Sequence, residues 1–171
     1  MPRVIFHIDV NSAFLSWTAV KKVMEGGQDL RLVPAVVSGD PNDRRSIITA
    51  ASIPAKKMGN KVATPVSMAL RTCPDLIIVR GDWEWYKRCS EGFIEICRSY
   101  SPVLQQFSID ECFIDMTSRI GTRHPVEVAT RLKDEIRTKL GFTVNVGIGP
   151  NKLLAKMASD FDKPDKVHTL W

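Results

Sequence analysis

Two groups of acidic residues, far apart in the chain, are the part of this sequence best suited to chemistry. Asp9 follows the apolar run 4–8, and the pair Asp110 and Glu111 interrupts the apolar segment 107–115. A carboxylate where a hydrophobic strand runs out is costly unless a cation meets it. Brought together, the three carboxylates would form an oxygen-rich site of the kind that binds Mg²⁺ and phosphates.

Length and composition are those of an ordinary globular protein. The chain has 171 residues, 44% of them hydrophobic and 25% charged, which is enough for one domain or two small ones. No apolar run approaches the roughly 20 residues that span a bilayer, and Asp9 interrupts the first apolar stretch, so neither a membrane segment nor a signal peptide is expected. The four cysteines contain no CxxC pair, which favours a reduced cytoplasmic protein over a zinc site. The net charge of +5 slightly favours polyanionic partners.

Apolar periodicity divides the chain into strands and helices in alternation. Asn11 or Ser12 is suited to cap the first long helix. The predicted strands are 3–9, 34–38, 46–51, 76–80, 103–109, 112–116, 142–148 and 166–171, and the predicted helices are about 12–25, 54–57, 65–72, 83–100, 126–139 and 151–159.

The order of these elements predicts how the acidic residues meet. With residues 11–82 set aside, the elements follow the split βαβ pattern of a ferredoxin-like sheet. In such a sheet the first and second strands run parallel, with the third between them, so the end of the first lies beside the turn at 110–111. We therefore predict an α/β (α+β) fold with a ferredoxin-like sheet, helices on one face, and a small inserted subdomain at 11–82.

The acidic trio is suited to two Mg²⁺ ions that serve nucleotidyl transfer, with Mn²⁺ as a possible substitute. Asp9 and Asp110 would bridge the two ions, and Glu111 would favour the ion on the attacking side. The carbonyl of Val10 is a further candidate ligand.

Phosphate groups need donors close to this edge. The helix that starts at Asn11 and Ser12 offers free N–H groups, which attract anions. Lys163 should return to the same edge and contact a triphosphate, and Lys56 is a second candidate. Taken singly, each of these residues has an ordinary interpretation as a turn, cap or surface residue, and it is their convergence that indicates a site.

Three motifs, in order along the chain, resemble the Y-family translesion DNA polymerases. They are HIDVNSAF at residues 7–14, SIDECFID at 108–115, and GIGPNKLLAKMASD at 147–160, which Lys163 and Pro164 follow. The resemblance spans nearly the whole chain.

The resemblance implies roles for individual residues. Asp9, Asp110 and Glu111 correspond to the catalytic, metal-binding acids of the family. Phe14 falls on the steric gate, an aromatic ring that would collide with a 2′-hydroxyl and so favours deoxynucleotides. Ala13, beside the gate, is small and fits a roomy nucleotide site.

Other positions agree with the family pattern or depart from it. Lys163 falls on the lysine that contacts the triphosphate. Ile53 and Lys56 stand where many members carry Tyr and Arg, and neither replacement is equivalent, because Ile donates no hydrogen bond and Lys lacks the planar fork of Arg. Asn11 stands where Asp is common.

The resemblance also implies domains and partners. Residues 1–10 and 83–168 would form the palm, 11–82 the fingers, and 169–171 the start of a thumb, with the thumb and little finger absent from this chain. We expect primer–template DNA and deoxynucleoside triphosphates as substrates, a sliding clamp bound through the absent C-terminal region, and a bacterial cytoplasmic location. Without its other domains the chain should bind DNA weakly and with strong salt sensitivity.

The resemblance thus implies that this chain is the catalytic core of a low-fidelity polymerase that copies damaged DNA. A palm-type nucleotide cyclase shares the ferredoxin-like sheet and the acidic residues, but it lacks the gating aromatic residue and the long insertion. A catalytically inactive nucleic-acid-binding relative is the remaining alternative. RNA-binding sheets of this type stack bases on aromatic side chains, whereas the strands around Ile8 and Ile109 are aliphatic.

Overall fold

The computed structural model describes residues 2–43 and 45–171. Within the chain, contacts separate two compact units, Met1–Asn11 with Lys87–Trp171 (unit 1) and Ser12–Tyr86 (unit 2). The strands are β1 (Ile5–Val10), β2 (Ala35–Ser38), β3 (Ile48–Ala51), β4 (Ile77–Arg80), β5 (Leu104–Gln106), β6 (Glu111–Asp115), β7 (Val144–Gly149) and β8 (Val167–Thr169). The helices are α1 (Ala13–Met24), α2 (Ile53–Lys57), α3 (Val66–Thr72), α4 (Trp83–Tyr100), α5 (Pro125–Leu140) and α6 (Lys152–Ser159).

Unit 1 contains a five-stranded sheet in the order β5-β6-β1-β7-β8. Strand β1 is antiparallel to both of its neighbours, β6 and β7, and β5 is antiparallel to β6. Strands β1 and β5 therefore run parallel with β6 between them, which confirms the predicted ferredoxin-like sheet. Strand β8 extends this pattern, because it pairs with β7 in parallel.

The two faces of this sheet are covered by different helices. Phe6, Ile8 and Val10 alternate along β1, are almost fully buried, and share their face with Cys112, which contacts Cys97 of α4. Helix α5 lies beside α4, since the hydroxyl of Tyr100 donates to Glu135 at 2.7 Å.

Helix α6 packs on the opposite face of the sheet. Its Ala155 forms an apolar cluster with Ile5 and Phe113, which belong to the other alternating set of strand residues. This helix, predicted at 151–159, is an addition to the two helices of the ferredoxin-like pattern, so helices cover both faces of the sheet and not the one face that was predicted.

The approach of α6 to β7 depends on a glycine. A Cβ atom at Gly147 would lie 1.9 Å from the carbonyl oxygen of Ala155 and 2.4 Å from the nitrogen of Ser159. Both contacts are with backbone atoms, which cannot rotate away as a side chain can. The small residue at position 147 therefore sets the separation of the helix and the strand.

Unit 2 is built around a second, smaller sheet with the strand order β3-β2-β4. Leu15 and Ala19 of α1 pack with Val37 of β2 on one face, and Ala55 of α2 packs with Val36 on the other. In the part of the chain that the structure describes, no helix combines the length and apolar composition needed to cross a membrane.

We expect Gly147→Ala to destabilise the protein by about 3 kcal/mol or more, because the backbone of α6 must move away from β7. Gly92→Ala is the matched control, since the new methyl group would meet only the tip of Leu140 at 3.4 Å, and alanine is favoured over glycine inside a helix by about 1 kcal/mol. Urea unfolding measures both. Equal stabilities of the two variants would contradict this account of the contact.

Candidate active site

The three predicted acids meet at one edge of the unit 1 sheet. The β1–β6 register pairs Asp9 directly with Glu111, which places their side chains on the same face with Cβ atoms about 4.5–5.5 Å apart. The backbone N–H of Val10 donates to the carbonyl of Asp110 at 2.9 Å. Strand pairing and this hydrogen bond bring together residues that are distant in sequence.

The turn that carries Asp110 is held by its own backbone. The N–H groups of Phe107 and Ser108 both donate to the carbonyl of Glu111, at 3.0 and 3.2 Å. The hydroxyl of Ser108 donates to Oδ1 of Asp110 at 2.7 Å. Because these bonds close the turn early, β5 ends at Gln106 rather than continuing to residue 109 as predicted.

Asp9 forms an ion pair with Lys163, which also contacts Asp160 at 2.9 Å. Burial raises the pKa of Asp9 and the nearby charge of Asp110 adds to this rise, although Lys163 opposes it. Burial alone would lower the pKa of Lys163, but Asp9 and Asp160 outweigh it and raise that pKa. Both members of the pair have raised pKa values because they are buried to different extents. The side chain of Asp9 is 18% exposed and that of Lys163 is 38% exposed, so burial destabilises the charge of Asp9 more than that of Lys163.

Glu111 is held by two other residues. Its Oε2 lies 2.8 Å from Nε2 of His7 and 2.5 Å from Nζ of Lys156. Burial acts to raise the pKa of Glu111, yet the hydrogen bonds from Lys156 and His7 together outweigh it, and the pKa is lowered. Glu111 is therefore a stabilised carboxylate, in contrast to Asp9.

The geometry defines the tautomer of His7. Burial lowers the pKa of His7, which favours a neutral ring with a single N–H. Because the carboxylate of Glu111 only accepts, this hydrogen belongs on Nε2, and Nδ1 accepts from the hydroxyl of Ser159 at 2.7 Å. That hydroxyl also lies 2.7 Å from the carbonyl of Lys156, so its hydrogen has two acceptors.

Three residues of the site, His7, Lys156 and Ser159, were not predicted from the sequence. One signal was available: His7 precedes Asp9 by two positions in a strand, and therefore shares its face. Lys156 and Ser159 lie three residues apart on α6, a spacing that also places them on one face, but nothing local indicates what they contact.

The donor set fits a divalent cation of the magnesium type. Asp9, Asp110 and Glu111 supply hard carboxylate oxygens, which Mg²⁺ prefers, and Val10 adjoins the same edge. Across residues 2–43 and 45–171, no three His, Cys, Asp or Glu side chains are grouped as a complete metal site. Instead, lysine ammonium groups lie against Asp9 and Glu111, which shows that this edge attracts positive charge.

Asn11 and Ser12 do not share one environment. Asn11 is 7% exposed, and its side chain bonds to residues of unit 1. Ser12 adopts a left-handed conformation with φ of 45° at the start of α1, and its side chain does not form the predicted helix cap. Its hydroxyl instead accepts from Nζ of Lys56 at 2.9 Å, so unit 2 brings together two residues that were predicted to bind nucleotide.

Phe14, which follows the buried Ala13, belongs to an aromatic cluster in unit 2. Its ring stacks on Tyr86 with centroids 4.9 Å apart and lies 6.0 Å from the ring of Trp17. The hydroxyl of Thr18 contacts both the carbonyl of Phe14 and the hydroxyl of Tyr86, at 2.7 Å each. The ring contacts with Tyr86 and Trp17 restrict the rotation of the Phe14 ring.

Comparisons with known proteins agree with this architecture. Residues 8–160 match the model of the impB/mucB/samB family, and the chain belongs to that family. DNA polymerase IV of Clostridium acetobutylicum is 45% identical over 172 residues, which cover 100% of this chain and 43% of that protein. DNA polymerase IV 1 of Halalkalibacterium halodurans is 36% identical over 162 residues, covering 95% and 38%.

Solved structures of Y-family DNA polymerases share the fold. DinB from Sulfolobus solfataricus has a TM-score of 0.86 at 27% identity, and an insertion ternary complex of Dbh DNA polymerase has 0.87 at 26%; each comparison covers 98% of this chain and 48% of that chain. This chain therefore spans less than half the length of these relatives.

We expect Asp9→Asn and Glu111→Gln to change stability in opposite directions at pH 7 in a metal-free, chelator-containing buffer. The raised pKa of Asp9 means that its ionised form destabilises the fold, and that stability is regained as the pH falls through this pKa. The lowered pKa of Glu111 means that its ionised form contributes stability, which is lost as the pH falls through this pKa.

Thermal unfolding should thus give a higher midpoint for Asp9→Asn and a lower one for Glu111→Gln, each by about 2–4 °C if the charge contributes about 1 kcal/mol. Glu95→Gln, at an exposed position on α4, should leave the midpoint unchanged. Shifts of the same sign at the two acidic positions would refute this electrostatic assignment.

Proposed function

We propose that this chain is the catalytic portion of a translesion DNA polymerase, with unit 1 as the palm and unit 2 as the fingers. The whole protein would add a deoxynucleotide to a primer 3′-hydroxyl on a template strand and release pyrophosphate. The observation that carries the proposal is the meeting of Asp9, Asp110 and Glu111 at one sheet edge. Membership of the impB/mucB/samB family, and relatives named DNA polymerase IV, support it.

The three acids would hold two Mg²⁺ ions. Asp9, Asp110 and Glu111 would supply the carboxylate ligands, and the carbonyl of Val10 would supply a further oxygen ligand. When bound, such ions, or Mn²⁺ in their place, lower the pKa of an attacking hydroxyl and neutralise charge on the leaving phosphates.

The residues of the chain itself would orient the nucleotide. Lys163, which is paired with Asp9, has a fixed positive charge beside the acidic edge and is the proposed contact to the triphosphate. Lys56 is the second proposed triphosphate contact, with Ser12 at the start of α1. Lysine supplies a point charge rather than the bidentate fork of arginine, so these contacts attract phosphate without fixing its rotation.

Selection against ribonucleotides is assigned to Phe14. The ring is stacked on Tyr86 and lies edge-on to Trp17, so it cannot easily turn aside to admit a 2′-hydroxyl. Ala13 leaves space beside the ring, and Asn11 connects the end of β1 to the rest of unit 1.

The proposed partners are primer–template DNA and deoxynucleoside triphosphates, and one solved relative is an insertion ternary complex of a DNA polymerase. A sliding clamp, bound through a region beyond residue 171, and a bacterial cytoplasmic location complete the proposal.

In the full-length protein, Asp110→Ala should reduce primer extension by more than about 100-fold, because one of the acidic ligands is removed. Glu95→Gln, an exposed change in the same unit, should extend primers as the unchanged protein does. A reaction without template, in which cyclic nucleotide is measured, tests the cyclase alternative. Unimpaired extension by Asp110→Ala, or cyclic product in the absence of template, would overturn the proposed function.

Phe14→Ala should raise the efficiency of ribonucleotide incorporation relative to deoxynucleotide incorporation by at least about tenfold, because the steric conflict with the 2′-hydroxyl is removed. The readout is the ratio of kcat/KM for the matched ribonucleotide and deoxynucleotide. Phe161→Ala, at an exposed phenylalanine of unit 1, is the control and should leave this ratio unchanged. An unchanged ratio in Phe14→Ala would remove the gate assignment and leave the metal chemistry standing.

A further inference from the structure

A buried pair of amide side chains lies behind the acidic edge. Asn145 on β7 is the register partner of Asp9, opposite Glu111 on the other side, and it is 0% exposed. Nδ2 of Asn11 donates to Oδ1 of Asn145 at 3.1 Å. Buried amide groups are costly unless hydrogen bonds satisfy them, so the bonding pattern of these two side chains indicates what they hold.

The bonds of Asn145 converge on the segment that follows α6. Its Nδ2 donates to the carbonyl of Ser159 at 3.0 Å and to the carbonyl of Asp162 at 2.6 Å, which uses both amide hydrogens. Its Oδ1 also accepts from the N–H of Lys166 at 3.2 Å. One side chain therefore binds the backbone before, within and after the segment 160–165, which contains Lys163.

Asn11 holds the same segment from a second direction. Its Oδ1 accepts from the N–H of Asp165 at 3.0 Å and from the hydroxyl of Thr143 at 2.9 Å. A carboxylate at position 11 could accept the same two bonds but could not donate to Asn145. The amide at position 11 is therefore matched to the amide at position 145.

Apart from an edge contact between the rings of Phe161 and His168, apolar packing does not anchor this segment. Residues 160–164 are exposed, including Phe161 at 55%. Outside the amide pair, the carboxylate of Asp165 is held by Lys133 at 2.9 Å and by Arg137 at 2.8 Å. The position of the Lys163 backbone is thus determined mainly by polar contacts.

We propose that the Asn11–Asn145 amide pair is a positioning device that sets Lys163 against the acidic edge and so determines nucleotide affinity. The inference rests on the proposed role of Lys163 as a triphosphate contact. Neither asparagine needs to touch the nucleotide, because each acts through the backbone of the segment that carries the lysine.

The test is the KM for deoxynucleotide in primer extension by the full-length protein. Lys163→Ala should raise this KM roughly tenfold or more, since a charged contact to phosphate is lost. Asn145→Ala should raise it at least about threefold, because the lysine is no longer held in place. In the double variant the KM should not exceed that of Lys163→Ala, because the asparagine then has no lysine to position.

Ser101→Ala controls for general destabilisation. Ser101 is 1% exposed in the same unit and donates to the carbonyl of Asp115, at the end of β6 away from Glu111. Its loss should lower thermal stability and leave the KM unchanged, because partial unfolding reduces the amount of active enzyme and hence the apparent kcat. If Asn145→Ala does not fold, Asn11→Ala, which removes the side-chain acceptor of the Asp165 N–H, replaces it in the same comparison.

The outcomes separate the two proposals. An unchanged KM in Lys163→Ala removes the role of that lysine and therefore part of the proposed function. A raised KM in Lys163→Ala, with an unchanged KM in the asparagine variant, overturns the positioning inference alone. A double variant whose KM rises by the product of the two single effects also overturns it, because the residues would then act independently.

Discussion

The cost of holding negative charge at a sheet edge is the constraint on which the rest of unit 1 depends. Asp9 and Glu111 are fixed opposite each other by strand register, and Asp110 is joined to the same edge by a backbone hydrogen bond. Like charges this close repel each other in a partly buried setting. Lys156 of α6 and Lys163, in the segment after α6, place ammonium groups against Glu111 and Asp9 and reduce this repulsion. The C-terminal part of the unit therefore stabilises the carboxylates that β1 and the β5–β6 hairpin bring together.

The two carboxylates are stabilised unequally. Burial acts to raise the pKa of both acids. For Glu111 its two hydrogen-bond donors outweigh burial and the pKa is lowered, whereas for Asp9 burial, with the nearby charge of Asp110, outweighs the single lysine and the pKa is raised. The difference arises from placement, since His7 is on the same strand face as both acids but its Nε2 reaches Glu111. The ionised form of Asp9 therefore remains unfavourable at this edge, whereas that of Glu111 is stabilised. A cation bound beside Asp9 would lower the free energy of its carboxylate, which favours cation binding.

The fold was largely predictable because its signals are local. Each strand and helix expected from apolar periodicity has a counterpart in the structure, and the split βαβ order was sufficient to place Asp9 beside the hairpin turn. Errors occurred where side chains compete with regular structure. The strand predicted over 103–109 ends at Gln106, where the backbone hydrogen bonds of the turn replace strand pairing. Ser12 is the N-cap residue of α1, as predicted, but its hydroxyl accepts from Lys56 and forms no side-chain cap bond.

The supporting residues were not predictable in the same way. Glu111 and Lys156 are 45 positions apart and Asn11 and Asn145 are 134 apart, so no window of sequence contains both members of either pair. Because Asn residues are mostly exposed in folded proteins, residue type alone predicts a surface or turn position for a buried Asn. Their role becomes visible only when strand order is known, because β1 and β7 are neighbours in the sheet and distant in the chain.

The absent side chain at Gly147 has a consequence for how this unit can vary. With no Cβ between them, the backbones of α6 and β7 are in direct contact, so the helix cannot slide or rotate on the strand without steric overlap. The position of the Lys156 backbone relative to the sheet, and so its distance from Glu111 of β6, is thereby set by contacts between main-chain atoms and not by side-chain packing. Substitutions on other surfaces of the unit can therefore change those surfaces without changing the spacing between the Lys156 ammonium and the Glu111 carboxylate.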